Sequence, residues 1–279
     1  MNTYALSICI PTMNRPEYMK GLLDNILDQI TEDELAGRLE IVVVDGGVGD
    51  ATKQLVDAFA ARHRDVVYFQ RETRSNIDAD ILKSVELAHG EYCWLFSDDD
   101  RFTAHSIRHL LDTLGKQAEV AGCFVNRCSY NSDLTHRVSE PHGWPHALLK
   151  RDYLFATKDE CFEVLGIDLG FISSQVVKRA LWETVVATHD LSPFYQCYLM
   201  FYVIGLMMDR NARWLYVDRP LVIQRTGNDS FLAREGFYRR QLLEHTFLGN
   251  VVGGHYSTSG VTYRRVFRRM VQRLPRVVA

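Results

Sequence analysis

Apolar positions along the first hundred residues alternate between two patterns. Leu6-Ser7-Ile8-Cys9-Ile10 is a short apolar run closed by Pro11-Thr12, which predicts a strand and then a loop. Pro16 suits the first turn of a helix, where its missing N–H is not needed. From there Met19, Leu22, Leu23, Ile26, Leu27 and Ile30 recur at three- and four-residue steps and form one apolar face. Glu40-Ile41-Val42-Val43-Val44-Asp45 is apolar on both faces, as a parallel strand covered by helices should be. Asp50 can cap a helix carrying Leu55, Val56 and Phe59. Val66–Phe69 predicts a third strand, Asp78–Ala88 a third helix, and Tyr92–Phe96 a fourth strand. This β-α-β-α-β-α-β order, with helices of crossover length, predicts an α/β doubly wound, mostly parallel sheet flanked by helices.

The fourth strand ends in Ser97-Asp98-Asp99-Asp100. Adjacent carboxylates repel one another and resist burial, so such a run is either a solvated acidic turn or a binding place for a hard cation, Mg²⁺ or Mn²⁺. Open parallel sheets bind ligands beyond the carboxyl ends of their strands. Pro11-Thr12, Asp45 and the acidic run all fall at such ends and should share one edge. Asp45 alone reads equally as a turn or capping residue. Gly46-Gly47-Val48-Gly49 follows the second strand, not the first, and no G-x-x-x-x-G-K-[ST] is present, so neither dinucleotide-type nor P-loop chemistry is supported.

Composition narrows the class further. The net charge of −3 over 279 residues argues against bulk nucleic-acid binding. The six cysteines (Cys9, Cys93, Cys123, Cys128, Cys161, Cys197) form no CxxC pair and read as small buried apolar groups in a reducing compartment. The absence of a signal-like start and of a long apolar span predicts a cytoplasmic protein.

Four segments resemble known sequences in order and spacing. Leu6–Pro16 is similar to the opening of family-2 glycosyltransferases, Glu40–Asp45 with Gly49-Asp50 to their second-strand motif, and Ala88–Tyr92 with Ser97–Asp100 to their metal-binding region. The form of the last segment further resembles the abequosyltransferase-like O-antigen branch. The resemblance implies a GT-A fold, a nucleotide-diphosphate sugar donor, Mg²⁺ or Mn²⁺, and a saccharide or lipid-linked saccharide acceptor. By position it implies Pro11, Thr12, Arg15 and Asn76 beside the nucleotide, Asp45 at the base and Asp98 near the ribose. Asp99 and Asp100, with Asp98 as a further candidate, would hold the metal. Two departures stand out: Ser97 replaces the family's usual first aspartate, and Ile77-Asp78 follows Asn76 where glycine is common.

The second half is less regular. Strands are predicted at Gly122–Asn126, Phe171–Val177, Trp214–Asp218 and Leu221–Arg225, and a helix at Arg179–Val186 anchored by Trp182. His136, His142 and His146 fall in an expected loop, read as surface or substrate-facing rather than metal-binding. An inverting transferase needs a base for the acceptor hydroxyl. The family's Glu-Asp pair is missing, which leaves Asp190, just before a helix expected from about Pro193, with His189 as substitute; a helix-entry role is the alternative. By resemblance Arg225 would lie near the donor diphosphate. Six arginines between Arg264 and Arg276, interleaved with Tyr263, Phe267, Met270 and Leu274, predict a basic amphipathic helix able to lie on an anionic membrane. The expected organisation is a donor half (1–115), an acceptor half of the same domain (116–235) and a helical extension (236–279). Competing readings are a sugar-nucleotide-binding or scaffold protein with a degenerate site, and a nucleotidyltransferase.

Overall fold

The computed structural model describes residues 4–117, 119–138, 149–195, 198–228, 236, 249–257 and 259–273, with side chains of the last helix described as far as Arg269. His142, His146, Cys197, Leu274 and Arg276 lie outside the described residues.

Strands β1 (Tyr4–Thr12), β2 (Leu39–Asp45), β3 (Val66–Gln70) and β4 (Gly90–Leu95) alternate with helices α1 (Pro16–Glu32), α2 (Ala51–Ala60) and α3 (Ile77–Glu86). All four strands run parallel in the order β3-β2-β1-β4. The second half of the chain extends the same sheet through β5 (Arg101–Phe102), β6 (Gly122–Tyr130), β7 (Tyr153–Phe155), β8 (Gln175–Lys178) and β9 (Trp214–Arg225). β8 lies antiparallel between β4 and β6, and β9 runs parallel to β6. Donor and acceptor halves as read from the sequence therefore share one sheet.

Side-chain alternation along the strands sorts the core into two layers. Leu6, Ile8, Ile10, Ile41, Val43, Trp94 and Phe96 face α1, α2 and α4 (Ser106–Lys116). Cys9, Val42, Cys93 and Leu95 face α3 and the later helices α5 (Lys158–Leu165), α6 (Arg179–Thr188) and α7 (Leu199–Arg210). α7 is apolar all round, and Leu199–Met208 are all buried, as a helix without a polar face requires.

Several boundaries differ from the sequence expectation for identifiable reasons. β1 continues through Pro11-Thr12, because both residues keep their register against β2. Phe171–Ser174 is a turn, and β8 begins only at Gln175. Trp94 Nε1 donates to the Ser173 carbonyl at 2.8 Å and Ser97 N to Ser173 Oγ at 3.0 Å, which holds that backbone out of the ladder. The two closing strands are one, because register shifts around Asn126 accommodate Pro220. Beyond α6 the chain makes a short turn at Ser192–Phe194, and α7 begins at Leu199 rather than near Pro193.

Candidate functional site

β1, β2 and β4 end at one edge of the sheet, and the expected residues collect there. Thr12 pairs with Asp45 in register, and Thr12 Oγ1 donates to Asp98 Oδ2 at 2.7 Å. The loop after β1 turns at Asn14 (φ +55°) and brings Arg15 over the acidic run. Arg15 forks between two carboxylates, NH1 to Asp98 Oδ1 and NH2 to Asp99 Oδ2, each at 3.0 Å. Asp99 also accepts from Ser97 Oγ at 2.5 Å and from Asn228 Nδ2 at 2.5 Å. Asp100 turns the other way, accepting from Ser173 Oγ at 2.6 Å and from the Arg225 N–H at 2.9 Å.

Two further arginines hold the backbone of the run. Arg101 donates to the Asp100 carbonyl at 2.6 Å and to the Tyr18 carbonyl at 3.2 Å. Arg225 Nε donates to the Asp99 carbonyl at 3.0 Å and its NH1 to the Ser132 carbonyl. The Tyr18 ring carries both Arg15 (4.7 Å) and Arg225 (4.8 Å) as cation–π partners.

A cavity of about 540 Å³ opens over this edge, lined by Arg15, Ser97, Asp99, Asp100, Arg225 and Asn228, with an apolar wall of Ile77, Phe171 and Ile172. Burial pushes the Asp98 carboxyl up to about 6; Arg15 and Thr12 oppose the rise and Asp99 adds to it. Burial, then the neighbouring charge of Asp99, pushes Asp100 up to about 7 against the donors Ser173 and Arg225 N. Among the described residues no three His, Cys, Asp or Glu side chains converge as a ready metal cage. Asp98 is turned onto Thr12 and Arg15, so the run does not present three carboxylates together. The donor set nevertheless fits a hard cation. Asp99 and Asp100 both line the cavity, and a guanidinium already stands as the positive partner of Asp99.

Asp45 is 1% exposed, accepting from Gly47 N at 2.8 Å and from the Tyr68 hydroxyl at 3.0 Å. Burial, then Asp45, pushes the Tyr68 hydroxyl upward, so it stays a donor. Asn76 caps α3, its Oδ1 accepting from Ala79 N at 3.0 Å, while the next residue, Ile77, reaches the cavity. The expected base is displaced from the site. Asp190 is exposed, accepts from Ser192 N at 3.0 Å as a turn aspartate, and is held below the usual carboxylate range by that residue. His189 lies against the Val185 carbonyl at 2.9 Å at the end of α6, and neither residue lines the cavity. His136 belongs to a surface turn with Asn131.

In the last helix, Val261–Arg273, Val266 is fully buried, and Tyr263 packs on the core beside Phe267, at 5.6 Å between stacked rings. Val266 and Tyr263 thus dock this helix on the protein, and Arg264, Arg265, Arg268 and Arg269 stand around an open cleft of about 580 Å³. Arg265 is tied to Glu163 at 3.0 Å. Among the described residues, no helix is long and apolar enough to cross a membrane.

Tyr18, Tyr68, Ser173 and Asn228 escaped the sequence reading. Only Asn228 carried a signal, in the Thr226-Gly227-Asn228 turn after β9; Gly227 takes the left-handed conformation there (φ +78°).

Residues 7–174 match the model of "Glycosyl transferase family 2". Over 278 residues the chain is 28% identical to the abequosyltransferase RfbV of Salmonella typhimurium, covering 95% of this chain and 79% of the relative. Among solved structures it resembles residues 1–349 of S. aureus TarS (TM-score 0.67, 13% identity, 96% of this chain and 71% of that one), a protein also solved with UDP-GlcNAc. It also resembles the mannosyltransferase PcManGT of Pyrobaculum calidifontis in complex with GDP-Man and Mn²⁺ (TM-score 0.61, 14% identity, 95% of this chain and 68% of that one).

Proposed function

The chain belongs to glycosyl transferase family 2 and has the GT-A fold, and we propose that it is a transferase of the O-antigen branch whose cavity over Asp99 holds the diphosphate of a nucleotide-sugar donor in a metal-dependent, inverting transfer. The observation that carries this reading is the meeting of Asp99, Asp100, Arg15 and Arg225 on one cavity at the carboxyl edge of the sheet.

Asp99 and Asp100 would hold the ion, Mg²⁺ or Mn²⁺. When bound, it supplies positive charge to the leaving diphosphate. Arg15 and Arg225, both resting on Tyr18, add cationic donors to the same oxygens. Asp45, held by Gly47 N and Tyr68, would face the base, and Thr12 with Asp98 would border the ribose; all three are buried beneath the cavity wall. The apolar wall of Ile77, Phe171 and Ile172 suits a sugar face poor in hydroxyls, in keeping with a deoxyhexosyl donor. In the transfer, the acceptor oxygen bonds to the anomeric carbon as the bond from that carbon to the diphosphate oxygen breaks. The hydroxyl proton passes to a base, and the electron pair leaves on the diphosphate. The first half of the chain thus supplies the donor side, and the second half closes the cavity and faces the acceptor.

The arginine face of the last helix suits electrostatic contact with anionic headgroups, at about 1 kcal/mol per basic residue near the surface. That would set the enzyme beside a lipid-linked saccharide acceptor without insertion. A panel of nucleotide sugars, each incubated with Mn²⁺ and saccharide acceptors, tests the proposal. Release of nucleoside diphosphate from one donor, abolished by EDTA, is expected. Tight binding without turnover across the panel would favour the scaffold reading instead.

A further inference from the structure

Of the three arginines around the acidic run, Arg101 and Arg225 donate to main-chain carbonyls. Among the described residues, Arg15 is the cation whose guanidinium lies directly on the carboxylate oxygens of the run. Its fork is not the usual bidentate grip on a single carboxylate. One nitrogen takes Asp98 and the other takes Asp99, both at 3.0 Å, so a single charge ties two adjacent acids together.

The two ends of that fork differ. Both acids have other donors, Thr12 on Asp98 and Ser97 with Asn228 on Asp99, but Asp98 is 2% exposed and forms the buried end. The Asp99 side chain is 14% exposed and lines the cavity, and the Arg15 side chain is 29% exposed. The Arg15–Asp99 arm is therefore the one that faces the cavity, and the Tyr18 ring lies beneath the guanidinium.

We propose that Arg15 is the resident counter-ion of the acidic run, competing with the divalent cation for Asp99 until a donor diphosphate draws the guanidinium away. The proposal rests on the donor-site reading above and adds an order to it. Without a nucleotide, Arg15 satisfies Asp99, and a cation entering alone must displace a charge-assisted pair. With a diphosphate present, Arg15 has a second anion to hold, and Asp99 is released. Metal and nucleotide then bind each other's complex better than they bind the empty protein, and the gain must be equal in both directions. Arg15 is in this account a positioning residue: it sets the availability of Asp99.

The test is Mn²⁺ binding to the full chain, read from the free-Mn²⁺ electron paramagnetic resonance signal, with and without ADP, CDP, GDP or UDP. The wild type should bind Mn²⁺ weakly alone and more tightly with at least one nucleoside diphosphate. Arg15→Gln should bind Mn²⁺ alone about tenfold more tightly than wild type, within the range usual for coupled sites, and gain less from the nucleotide. Arg15→Lys keeps the charge but loses the fork, so it should fall between the two; it also reports on the site should the glutamine variant fold poorly. Unchanged or weaker Mn²⁺ binding in both variants, with nucleotide still promoting it, overturns the role of Arg15 alone. If no nucleoside diphosphate promotes Mn²⁺ binding even in the wild type, the donor-site reading falls and takes this inference with it.

Discussion

Glu40 at the start of β2 and Asp98–Asp100 beyond the end of β4 are acids at opposite edges of the same sheet. Glu40, Asp98 and Asp100 are each 2% exposed and the Asp99 side chain only 14%, so burial alone does not separate the two edges. Their partners do. Glu40 accepts from Ser7 Oγ at 2.5 Å, from Gly90 N at 3.2 Å and from His89 N, and His89 Nδ1 lies 3.1 Å from its second oxygen. These donors come from β1 and from the start of β4, so Glu40 staples three strands together. The acidic run instead opens onto a cavity, and one of its partners, Arg15, is a partly exposed side chain on the cavity wall. Glu40 is closed in by donors on every side, whereas Asp99 meets a partly exposed cation beside open volume, as a candidate site should.

The sharpest way to break that contrast is to remove one acid from each edge. Asp99→Ala should lower transfer at least a hundredfold, the scale of losing one electrostatic group at developing charge, while melting changes little. Glu40→Ala should do the reverse. Stranding its buried donors costs about 3 kcal/mol, which lowers the melting temperature by roughly 6–10 °C, and nucleotide binding by the folded protein should be retained. Normal transfer by Asp99→Ala, or loss of nucleotide binding by folded Glu40→Ala, would reverse the assignment of the edges.

Acid should separate the edges more gently. Asp98 and Asp100 have folded pKa values raised to about 6 and about 7, above the ordinary 3.8. The folded protein therefore takes up these protons before the unfolded chain does. Their contribution favours folding below about pH 4 and is lost as pH rises through 6 to 7. Lowering the pH from 8 to 5 should thus ease the strain of the run in the empty protein and raise its melting temperature by a few degrees. Over the same interval Mn²⁺ binding should weaken, because protonated carboxylates are poor ligands. Melting curves and Mn²⁺ titrations at matched pH check the opposite signs. Parallel trends would mean that the run is not the ion's site.

The smallest effect concerns Asn76, expected at the nucleotide but found capping α3. Asn76→Ala should cost about 1 kcal/mol, and Asn76→Ser should restore most of it because serine also caps. If nucleotide affinity falls in both variants alike, the side chain contacts the donor as well.

These contrasts also explain what the sequence could and could not convey. The parallel order and the common edge were legible because period and strand ends are local properties, and Thr12, Asp45 and Asp98–Asp100 mark those ends directly. Ser173 and Asn228 reach the run from 73 and 129 residues away, and Tyr68 meets Asp45 across a strand pair, so nothing local announced them. Asp190 stands out in the sequence only because it precedes an expected helix. That helix begins later, at Leu199, and the aspartate closes a turn instead. The tail shows the same limit: periodicity marks an apolar stripe through Tyr263 and Phe267, but not that Tyr263 packs on the protein's own core.

The claim on which the rest depends is that Asp99 joins a cation to a donor diphosphate. Calorimetric titration of ADP, CDP, GDP and UDP into wild type and Asp99→Asn, each with Mn²⁺ and with EDTA, measures this directly. The account predicts that at least one nucleotide binds the wild type with Mn²⁺, and that EDTA or the asparagine variant weakens this binding at least tenfold, as loss of a charge-assisted ligand should. Equal nucleotide affinity in all four combinations would contradict it.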